Sequence, residues 1–504
     1  MRPSVSSTAV NKAIVDEAQD STTAPDHSDC SLESEVDFSH LQRFNNDPLR
    51  APDVAGQHLR LRVLKGAYIV FFAAGNRGKQ HVYERAAELG VNVIIVDEPN
   101  SWVQDLVVNG IVKKYIPLDI NTHDHDQLHR DAVKALRELD RIDAICTVWE
   151  TSILHTARLC EEFNLPGPPV EAVEIARDKK RTRDVIEAAG GPTTRHMIVS
   201  DEADLHKAAQ YVGFPAVLKP ISGSASVGVQ RVDTYECLVE VFNDVRGSIA
   251  DMVLIDGMFV HKQGDLDHTI EFGSFMLEEY LDGSEVDVNI VMSDGVATFV
   301  CVHDNGPTLE PHFNETWDIF PSTLPSDQVA ALEDLAVKSV VAMGFTSGVF
   351  HVEAKYTSRG PRLIEVNARM GGGPLRDQQK AATGVDLVDE VLLIALGLPS
   401  LPPLLPVDER KAVVCISVNA LKSGTILNLS FSHRWDSIEG VTVLSNTVLI
   451  KEGQHIVGPE EGLPTWLADV VFSTPLSKLG ELRGLAHRLD KEIAEDYLSH
   501  YSHS

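Results

Sequence analysis

The 504-residue sequence predicts a multidomain α/β protein, with an open parallel sheet first and mixed α+β lobes after it. The first observation is an alternation of strand and helix patterns within residues 59–170. The second is a pair of β-like runs, 349–353 and 362–367, around turn residues that predict an antiparallel hairpin. The third is the length itself, which exceeds what one hydrophobic core holds and predicts several domains.

Composition and charge exclude several classes of protein. A hydrophobic content of 43% and a charged content of 23% are typical of globular domains. The net charge of −30 argues against a general binder of nucleic acid or of anionic membranes. No apolar run reaches the roughly 18 residues that cross a bilayer, and the N-terminus lacks the apolar stretch of a secretion signal. The six cysteines have no CxxC spacing, so we expect a reducing, cytoplasmic compartment.

Pattern and composition divide the chain into five predicted segments. The first is rich in small polar and acidic residues and is predicted to be mostly disordered, with a short helix near residues 36–44. The five are the leader (1–58), an N-terminal α/β domain (59–170), a central subdomain (171–275), a site-bearing subdomain (276–400) and a C-terminal lobe (401–504).

The N-terminal domain is predicted from repeated βαβ units. A buried strand over residues 66–72 leads into a glycine-rich turn, 73–79 (AAGNRGK), and further strands are expected over 91–97 and 144–149. The turn lacks the G-x-G-x-x-G spacing of a dinucleotide-binding loop, so nicotinamide binding is disfavoured. Two interpretations of the turn remain open: it accepts a small substrate, or it serves only for packing.

The predicted hairpin at residues 347–377 carries the chemistry around which the chain is organised. Alternation along its strands places Glu365 beside Asn367 and lets Glu353 reach them from the partner strand. Two carboxylates and an amide oxygen suit Mg²⁺, a hard cation that shares its oxygen ligands with nucleotide phosphates. Arg369 lies one step further along that face, where a guanidinium can hold a transferring phosphoryl group. The alternative is an ordinary solvated hairpin face.

A lysine and a loop of small residues form a second candidate element. Lys219 lies inside an apolar strand, 214–220, where an ammonium is costly to bury without an anion, and a phosphate would remove that cost. The loop that follows, 222–228, lets backbone N–H groups approach an anion, although a plain hairpin tip explains it equally well. The loop residues predicted to contact phosphate are Ser222, Ser224, Ser226 and Val227.

Residues 276–288 read as a strand, a turn and a second strand. Such a layout offers backbone groups to an adenine ring, and Glu285 at the start of the second strand suits a ribose hydroxyl. By composition alone these acids would be surface residues. The helix pattern over 328–343 has an apolar stripe that we interpret as core.

In this order the elements resemble an ATP-grasp carboxylate–amine ligase over about residues 61–398. Within that superfamily the chain is most similar to the L-amino-acid ligase branch that includes carnosine synthase. The segments that carry the closer likeness are 75–79 (GNRGK), 96–100 (VDEPN), 348–353 (GVFHVE) and 367–372 (NARMGG). The chain departs from the pattern at residues 372–374 (GGP), beside the substrate pocket, which leaves the substrate pair open.

The resemblance implies the ATP-grasp fold, with segment 171–275 as a lid and segment 276–400 as the ATP- and Mg²⁺-binding part. It implies ATP as the nucleotide, Mg²⁺ (with Mn²⁺ as a substitute) on the hairpin, and an acyl-phosphate intermediate. The ATP-binding residues that it implies, besides the loop, are Lys179, Lys219, Glu278, Glu279, Tyr280, Leu281 and Glu285. Arg369 would act on the transferring phosphoryl group.

The substrates implied by the resemblance are amino acids, bound without nucleic acid or membrane by an enzyme expected to be a homodimer. Arg376 can pair bidentately with a substrate carboxylate, although a surface salt bridge explains it nearly as well. The other candidate substrate contacts are Glu310, His312, Glu315 and Gly372. Two alternatives stay open: a biotin-dependent type of carboxylase, and a nucleotide-binding regulator without catalysis.

Overall fold

The computed structural model describes residues 48–122, 124–223, 226–250, 252–255, 258–261 and 274–502. The leader predicted for residues 1–58, with its short helix at 36–44, lies outside the described residues up to residue 47. A helix begins at Val54, inside the stretch predicted as leader. Its Arg60 is fully buried and donates to the carbonyl oxygens of Leu49, Ala51 and Leu401, so this segment is part of the fold.

The N-terminal domain is the predicted open parallel sheet. Its strands run in the order β3-β2-β1-β4, all parallel, with apolar clusters on both faces. The elements are α1 (Val54–Val63), β1 (Tyr68–Phe72), α2 (Gln80–Glu88), β2 (Asn92–Asp97), α3 (Gln104–Val108), β3 (Lys114–Pro117), α4 (His125–Leu136), β4 (Ala144–Cys146) and α5 (Ile153–Glu162).

A four-stranded antiparallel sheet follows, in the order β5-β10-β6-β7. Strand β10 begins at residue 275, the last residue of the predicted central subdomain, so this sheet crosses the predicted subdomain boundary. The elements are α6 (Val170–Arg177), α7 (Lys179–Ala188), β5 (His196–Val199), α8 (Glu202–Val212), β6 (Ala216–Pro220), β7 (Gln230–Val232), α9 (Tyr235–Ala250), β8 (Met252–Ile255), β9 (Met258–His261) and β10 (Phe275–Glu279).

An eight-stranded antiparallel sheet carries the predicted metal-binding hairpin at one edge, in the order β15-β14-β11-β12-β13-β16-β20-β18. The elements that complete the chain are β11 (Ser284–Ser293), β12 (Val296–Asn305), β13 (Trp317–Phe320), α10 (Ser326–Ala342), β14 (Gly348–Thr357), β15 (Gly360–Asn367), α11 (Leu375–Thr383), α12 (Leu387–Ala395), β16 (Lys411–Asn419), β17 (Gly424–Ile426), β18 (Thr442–Val448), β19 (His455–Ile456), β20 (Trp466–Pro475), α13 (Leu479–Leu498) and β21 (Tyr501–Ser502).

The two faces of the eight-stranded sheet are packed differently. On one face, α10 buries the apolar stripe that the sequence predicts, with Leu332 and Val340 fully covered. On the other face, apolar residues such as Val349 pack into the core shared with the N-terminal sheet through α12. Further along β14 this same face turns polar, at His351 and Glu353. The site therefore lies where the shared core ends. Among the described residues, no helix is long and apolar enough to cross a membrane.

Candidate active site

The predicted metal-binding hairpin forms, and its register brings the predicted ligands together. Strands β14 and β15 place Glu353 opposite Glu365 and His351 opposite Asn367. The Asn367 amide nitrogen lies 3.3 Å from Oε1 of Glu353 and 3.4 Å from Oε1 of Glu365. The pairing shifts just after Glu353, and such bulges re-aim side chains beside active sites. The three side chains therefore converge on one point of the sheet.

The two hairpin carboxylates titrate in opposite directions. Burial, together with the charges of Glu365 and Asp287, raises the pKa of Glu353 well above its usual value. Burial also acts to raise the pKa of Glu365, but Lys179, whose Nζ lies 2.7 Å from Oε2, holds it below the usual value. One carboxylate is thus compensated by a lysine and the other is not. A cation at this point would compensate the second.

The donor set fits a metal ion that is shared with a ligand rather than enclosed by protein. Within the described part of the chain, no three carboxylate, imidazole or thiol side chains form a metal-binding group. The hairpin supplies two carboxylates, and its third donor is the amide of Asn367. Mg²⁺ commonly takes one or two carboxylates and completes its shell with water and phosphate oxygens. The residues present fit such an ion.

Lys219 and Glu278, predicted to bind phosphate and adenosine, bind each other. Lys219 is 5% exposed, with Nζ 2.5 Å from Oε2 of Glu278. Arg183 donates to both Glu278 oxygens, at 2.7 and 3.1 Å, and the Thr194 hydroxyl donates to Oε1. Burial acts to raise the pKa of Glu278, but Arg183 and Lys219 hold it well below the usual value. The adenosine contact expected of Glu278 stays a prediction, and in this structure protein donors surround the carboxylate.

Arg369 lies beside the hairpin, and its main partner is a residue that the sequence did not indicate. Its Nε is 2.8 Å from Oε2 of Glu150, and its Nη2 is 3.5 Å from Oδ1 of Asn367. Arg177 holds the other Glu150 oxygen at 3.1 Å. Glu150 follows the carboxyl end of β4, where open parallel sheets place their functional residues. That rule was the signal that could have found it.

Two residues of the predicted adenosine hinge have protein partners. Glu279 accepts from Nε of Arg195 at 3.2 Å and from Nη2 of Arg359 at 2.9 Å. Burial acts to raise the pKa of Glu279, but these bonds lower it overall. The hydroxyl of Tyr280 donates to Oε1 of Glu310 at 2.6 Å. The side chains of Glu279 and Tyr280 therefore stabilise the hinge. Only the backbone groups of these two residues are left to contact an adenine base.

Leu281 and Glu285 lie at the end of that hinge. The Leu281 side chain is buried, and among the described residues its backbone N–H makes no hydrogen bond. Glu285 is half-buried at the start of β11, with Oε2 3.3 Å from Nζ of Lys355. A free N–H followed by an accessible carboxylate is the pair of contacts predicted for adenine and ribose.

The glycine-rich loop is described except for Ser224 and its neighbour, so the expectation for Ser224 lies outside the described residues. Ser222 donates from Oγ to the Arg177 carbonyl at 3.0 Å. Ser226 has a φ of 55°, and Val227 is buried. The loop turns back sharply here, with the Val229 N–H donating to the Ser226 carbonyl at 3.0 Å.

The residues predicted to contact the amino substrate are in three different states. Arg231 holds Oε2 of Glu310 at 2.6 Å, so Glu310 joins the hinge network. His312 is half-buried, and burial lowers its pKa. Glu315 is an exposed residue whose carboxyl is partly desolvated. Partial burial, followed by the charges of Glu285 and Asp318, raises its pKa to about 7. A carboxyl that is hard to ionise would favour a cationic ligand.

Arg376 is not presented to a substrate in the way that the sequence suggested. Its Nε and Nη2 donate to the two Asp386 oxygens at 2.7 and 2.6 Å, and the side chain is buried. The remaining nitrogen, Nη1, lies 3.6 Å from Oδ1 of Asp377, so the bidentate pairing predicted with a substrate is made within the protein. Gly372, in contrast, lies at the site, since a Cβ built there would be 4.0 Å from Nζ of Lys79.

Comparisons with known proteins agree with this geometry. Family models match an ATP-grasp N-terminal domain over residues 83–167 and an ATP-grasp domain over residues 212–377. Carnosine synthase 1 of Gallus gallus is 34% identical over 395 residues, 74% of this chain and 40% of that protein. Alanine–anticapsin ligase of Bacillus subtilis (strain 168) is 29% identical over 282 residues, 53% of this chain and 58% of that protein. The chain spans less than half the length of the carnosine synthases that it matches.

Solved structures show the same fold. An L-amino acid ligase from Bacillus licheniformis superposes with a TM-score of 0.68 at 22% identity, covering 85% of this chain and 97% of that one. The biotin carboxylase domain of a 2-oxoglutarate carboxylase from Hydrogenobacter thermophilus has a TM-score of 0.58 at 18% identity, covering 86% and 90%.

The fold and the site therefore define an ATP-grasp protein, a class whose enzymes use ATP and divalent metal ions. Family models thus find an ATP-grasp domain and an ATP-grasp N-terminal domain in this chain, and its relatives include carnosine synthase and an alanine–anticapsin ligase. The resemblance predicted from the sequence, both to the superfamily and to this branch, is confirmed.

Proposed function

We propose that the protein is an ATP-dependent carboxylate–amine ligase that joins two amino acids, or an amino acid and a related amine, and releases ADP and phosphate. The observation that carries this proposal is the hairpin of Glu353, Glu365 and Asn367, with Lys179 and Arg369 on its flanks. The named activities of the amino-acid ligase relatives support the same chemistry.

The nucleotide is proposed to be ATP with Mg²⁺, for which Mn²⁺ can substitute. Glu353, Glu365 and Asn367 would hold the ion, which neutralises phosphate charge when bound. Lys179, Lys219 and the loop at 222–228 would hold the phosphates. Once a metal ion binds the Glu365 carboxylate, the Lys179 ammonium can leave Glu365. It can then bind a phosphate through charge-assisted hydrogen bonds.

Adenosine is proposed to lie against the hinge. The Leu281 N–H would donate to the base, and Glu285 would accept from a ribose hydroxyl. We propose that segment 171–275 is the lid over this site and that segment 276–400 is its floor. Closing the 222–228 loop would exclude water, which otherwise hydrolyses an acyl phosphate.

The proposed reaction has two displacements. A carboxylate oxygen of the donor attacks the γ-phosphorus, the bond to the bridging oxygen breaks, and ADP leaves with that electron pair. The neutral amine of the acceptor then attacks the acyl carbon, and phosphate leaves with the oxygen that joined it to carbon. The nitrogen loses one proton, which the released phosphate takes up. Positioning and charge stabilisation dominate such transfers, which is the part assigned to Arg369.

A carboxylase of the biotin-dependent type shares the fold, as the Hydrogenobacter structure shows, but identity below one in five supports fold likeness alone. A regulator without catalysis would not need the intact set of Glu353, Glu365, Asn367 and Arg369. Bicarbonate-dependent ADP formation with biotin would favour the first alternative, and nucleotide binding without ADP formation would favour the second.

The test is a matrix of amino-acid pairs, including β-amino acids, with ATP and Mg²⁺, scored by phosphate release and product mass. The proposal expects ADP, phosphate and a new amide from at least one pair. Absence of any amide product from folded, nucleotide-binding protein would contradict it.

Compartment and assembly belong to the same proposal. We propose a cytoplasmic enzyme, supported by the five free cysteines in the described part of the chain. A homodimer is proposed as well, and light scattering of the purified protein tests it directly.

A further inference from the structure

One buried lysine near the site differs from all the others there. Lys79 ends the short turn Arg77–Lys79 between β1 and α2, and it is 7% exposed. The turn is held close to the site because Gly75, with a φ of 68°, packs on Trp149: a Cβ at Gly75 would lie 2.5 Å from the indole. Trp149 directly precedes Glu150, the partner of Arg369.

Lys79 has no counter-charge among the residues that the structure describes. Among the described residues, its ammonium makes no hydrogen bond and no ion pair. Lys179, Lys219 and Lys355, the other lysines of the site, each contact a glutamate at 2.7, 2.5 and 3.3 Å. Burying an ammonium without a partner is costly, and burial followed by the charge of Arg369 lowers the pKa of Lys79 to about 7. An anion bound beside it would remove that cost.

The surroundings of Lys79 place it at the glycine turn after the metal-binding hairpin. A Cβ at Gly372 would be 4.0 Å from Nζ of Lys79, and one at Gly371 would be 3.2 Å from Nδ1 of His351. The turn thus touches the hairpin face through Gly371 and the lysine through Gly372. An oxyanion over this turn would meet backbone that carries no side chain, an ammonium and the Arg369 guanidinium.

The charge count favours a carboxylate over the ATP phosphates as that oxyanion. Arg369 is already paired with Glu150, so Lys79 contributes one uncompensated positive charge, which matches a singly charged carboxylate. The polyanionic phosphates have their own lysines, Lys179 and Lys219, on the side of the hairpin that faces the lid sheet.

We propose that Lys79 binds the carboxylate of the amino-acid donor over the Gly371–Gly373 turn and so presents its oxygen for phosphoryl transfer. This inference deepens the proposed function and rests on it. It makes the N-terminal domain, through its glycine-rich turn, the source of the donor-binding charge. It also chooses between the two interpretations of that turn, substrate binding and packing.

The experiment uses the full chain with Lys79→Met and Lys79→Arg, and Lys134→Met as a control for an exposed lysine of the same domain. The wild-type matrix first identifies a productive pair, and ¹⁸O in one carboxylate shows which member is the donor. Steady-state kinetics then vary the donor, the acceptor and ATP separately. Calorimetry of the donor in the presence of ADP and Mg²⁺ measures binding without turnover.

Lys79→Met is expected to raise the KM and the Kd for the donor by about tenfold or more, the loss of one charge-assisted contact. The KM for ATP is expected to stay at the wild-type value. Lys79→Arg keeps the charge and should restore most of the donor affinity, whereas a purely structural lysine would show no such split. Lys134→Met should match the wild type.

The outcomes separate this inference from the proposed function. If the wild type is active and folded Lys79→Met has an unchanged KM for the donor, the role of Lys79 is overturned. The proposed ligase function is then unaffected. A variant that loses ATP affinity instead would assign Lys79 to phosphate and also overturn the inference. A wild type that forms no amide with any pair removes both. If Lys79→Met unfolds, Lys79→Gln takes its place: a raised donor KM at an unchanged KM for ATP supports the inference, and an unchanged donor KM overturns it.

Discussion

The proposed nucleotide side and the proposed substrate side of the site hold their charges in opposite ways. On the nucleotide side, Arg183, Lys219 and Glu278 form a buried set in which each group has a partner within 2.7 Å. On the substrate side, Lys79 is buried without a partner among the described residues, and Glu315 has a pKa raised to about 7.

The difference in charge pairing indicates a different role for each side. A paired set is rigid and keeps its shape with or without a ligand, which suits the constant part of the reaction, ATP. Unpaired charges gain their partners only when a ligand arrives, so they select it by charge. We therefore interpret the nucleotide side as a preorganised scaffold. The substrate side would select its two substrates by charge, with a carboxylate near Lys79 and a cationic or amine group near Glu315.

The largest expected effect is at the metal-binding hairpin, which both sides need. Glu365→Gln or Asn367→Ala should lower turnover by more than about a hundredfold while the fold persists, because the ion that offsets phosphate charge loses an anchor. ADP release at saturating Mg²⁺ measures the effect. Glu409→Gln, on the exposed surface, is the control. Near-normal ADP release by folded Glu365→Gln would break the assignment.

Removing Arg183 tests whether the nucleotide side is scaffold. Arg183→Met leaves Glu278 short of a partner inside the protein, and breaking such a buried pair costs about 3–5 kcal/mol of stability. Arg181→Met, two residues away on α7, breaks partly exposed pairs with Glu171 and Glu174 and should cost at most about 1 kcal/mol. Chemical denaturation measures both. Equal costs would show that the buried set is not structural.

Lys219→Met asks whether the same scaffold also binds the nucleotide. If Lys219 leaves Glu278 for a phosphate, ATP affinity should fall by about 1.5–3 kcal/mol, one charge-assisted contact. Calorimetry gives the affinity, and the melting temperature shows whether the loss is structural. Unchanged affinity in a destabilised variant would restrict Lys219 to its ion pair.

The smallest expected effect is a pH dependence on the substrate side. Glu315 keeps its proton to about pH 7 when folded but loses it near its usual value of 4.5 when unfolded. The unfolded state therefore binds fewer protons between these values, and the Glu315 contribution makes stability fall as pH rises through that window. Glu315→Gln should reduce this fall. Melting temperatures across the window measure it, and identical slopes for both proteins would contradict the assignment.

Much of the fold and one part of the site could be predicted from the sequence. Strand periodicity was sufficient for the hairpin, because residues two apart share a face, and Glu365 and Asn367 are two apart. A strand, turn and strand pattern placed Glu285 at the start of β11, and the resemblance to ATP-grasp ligases implied the role of Leu281. These predictions needed no knowledge of distant partners.

The rest depended on contacts that local pattern does not contain. Glu278 meets Arg183 from a helix 95 residues away, and Glu150 meets Arg369 across 219 residues of sequence. The prediction that Lys219 needs an anion is right. The anion is the Glu278 carboxylate, and the pairing of β6 with β10 brings it close. Arg376 pairs with Asp386, which lies ten residues further along the chain. The packing of α11 against the start of α12 brings these two side chains together.

The central claim is that charge is gathered around the terminal phosphates, so that the donor carboxylate attacks the γ-phosphorus. The most direct measurement uses the productive substrate pair with ¹⁸O in the donor carboxylate and follows nucleotide and phosphate by mass spectrometry. We expect ADP and orthophosphate, each equal in amount to the amide formed, with one ¹⁸O in the phosphate. AMP and pyrophosphate as the stoichiometric products, or phosphate without ¹⁸O, would contradict it.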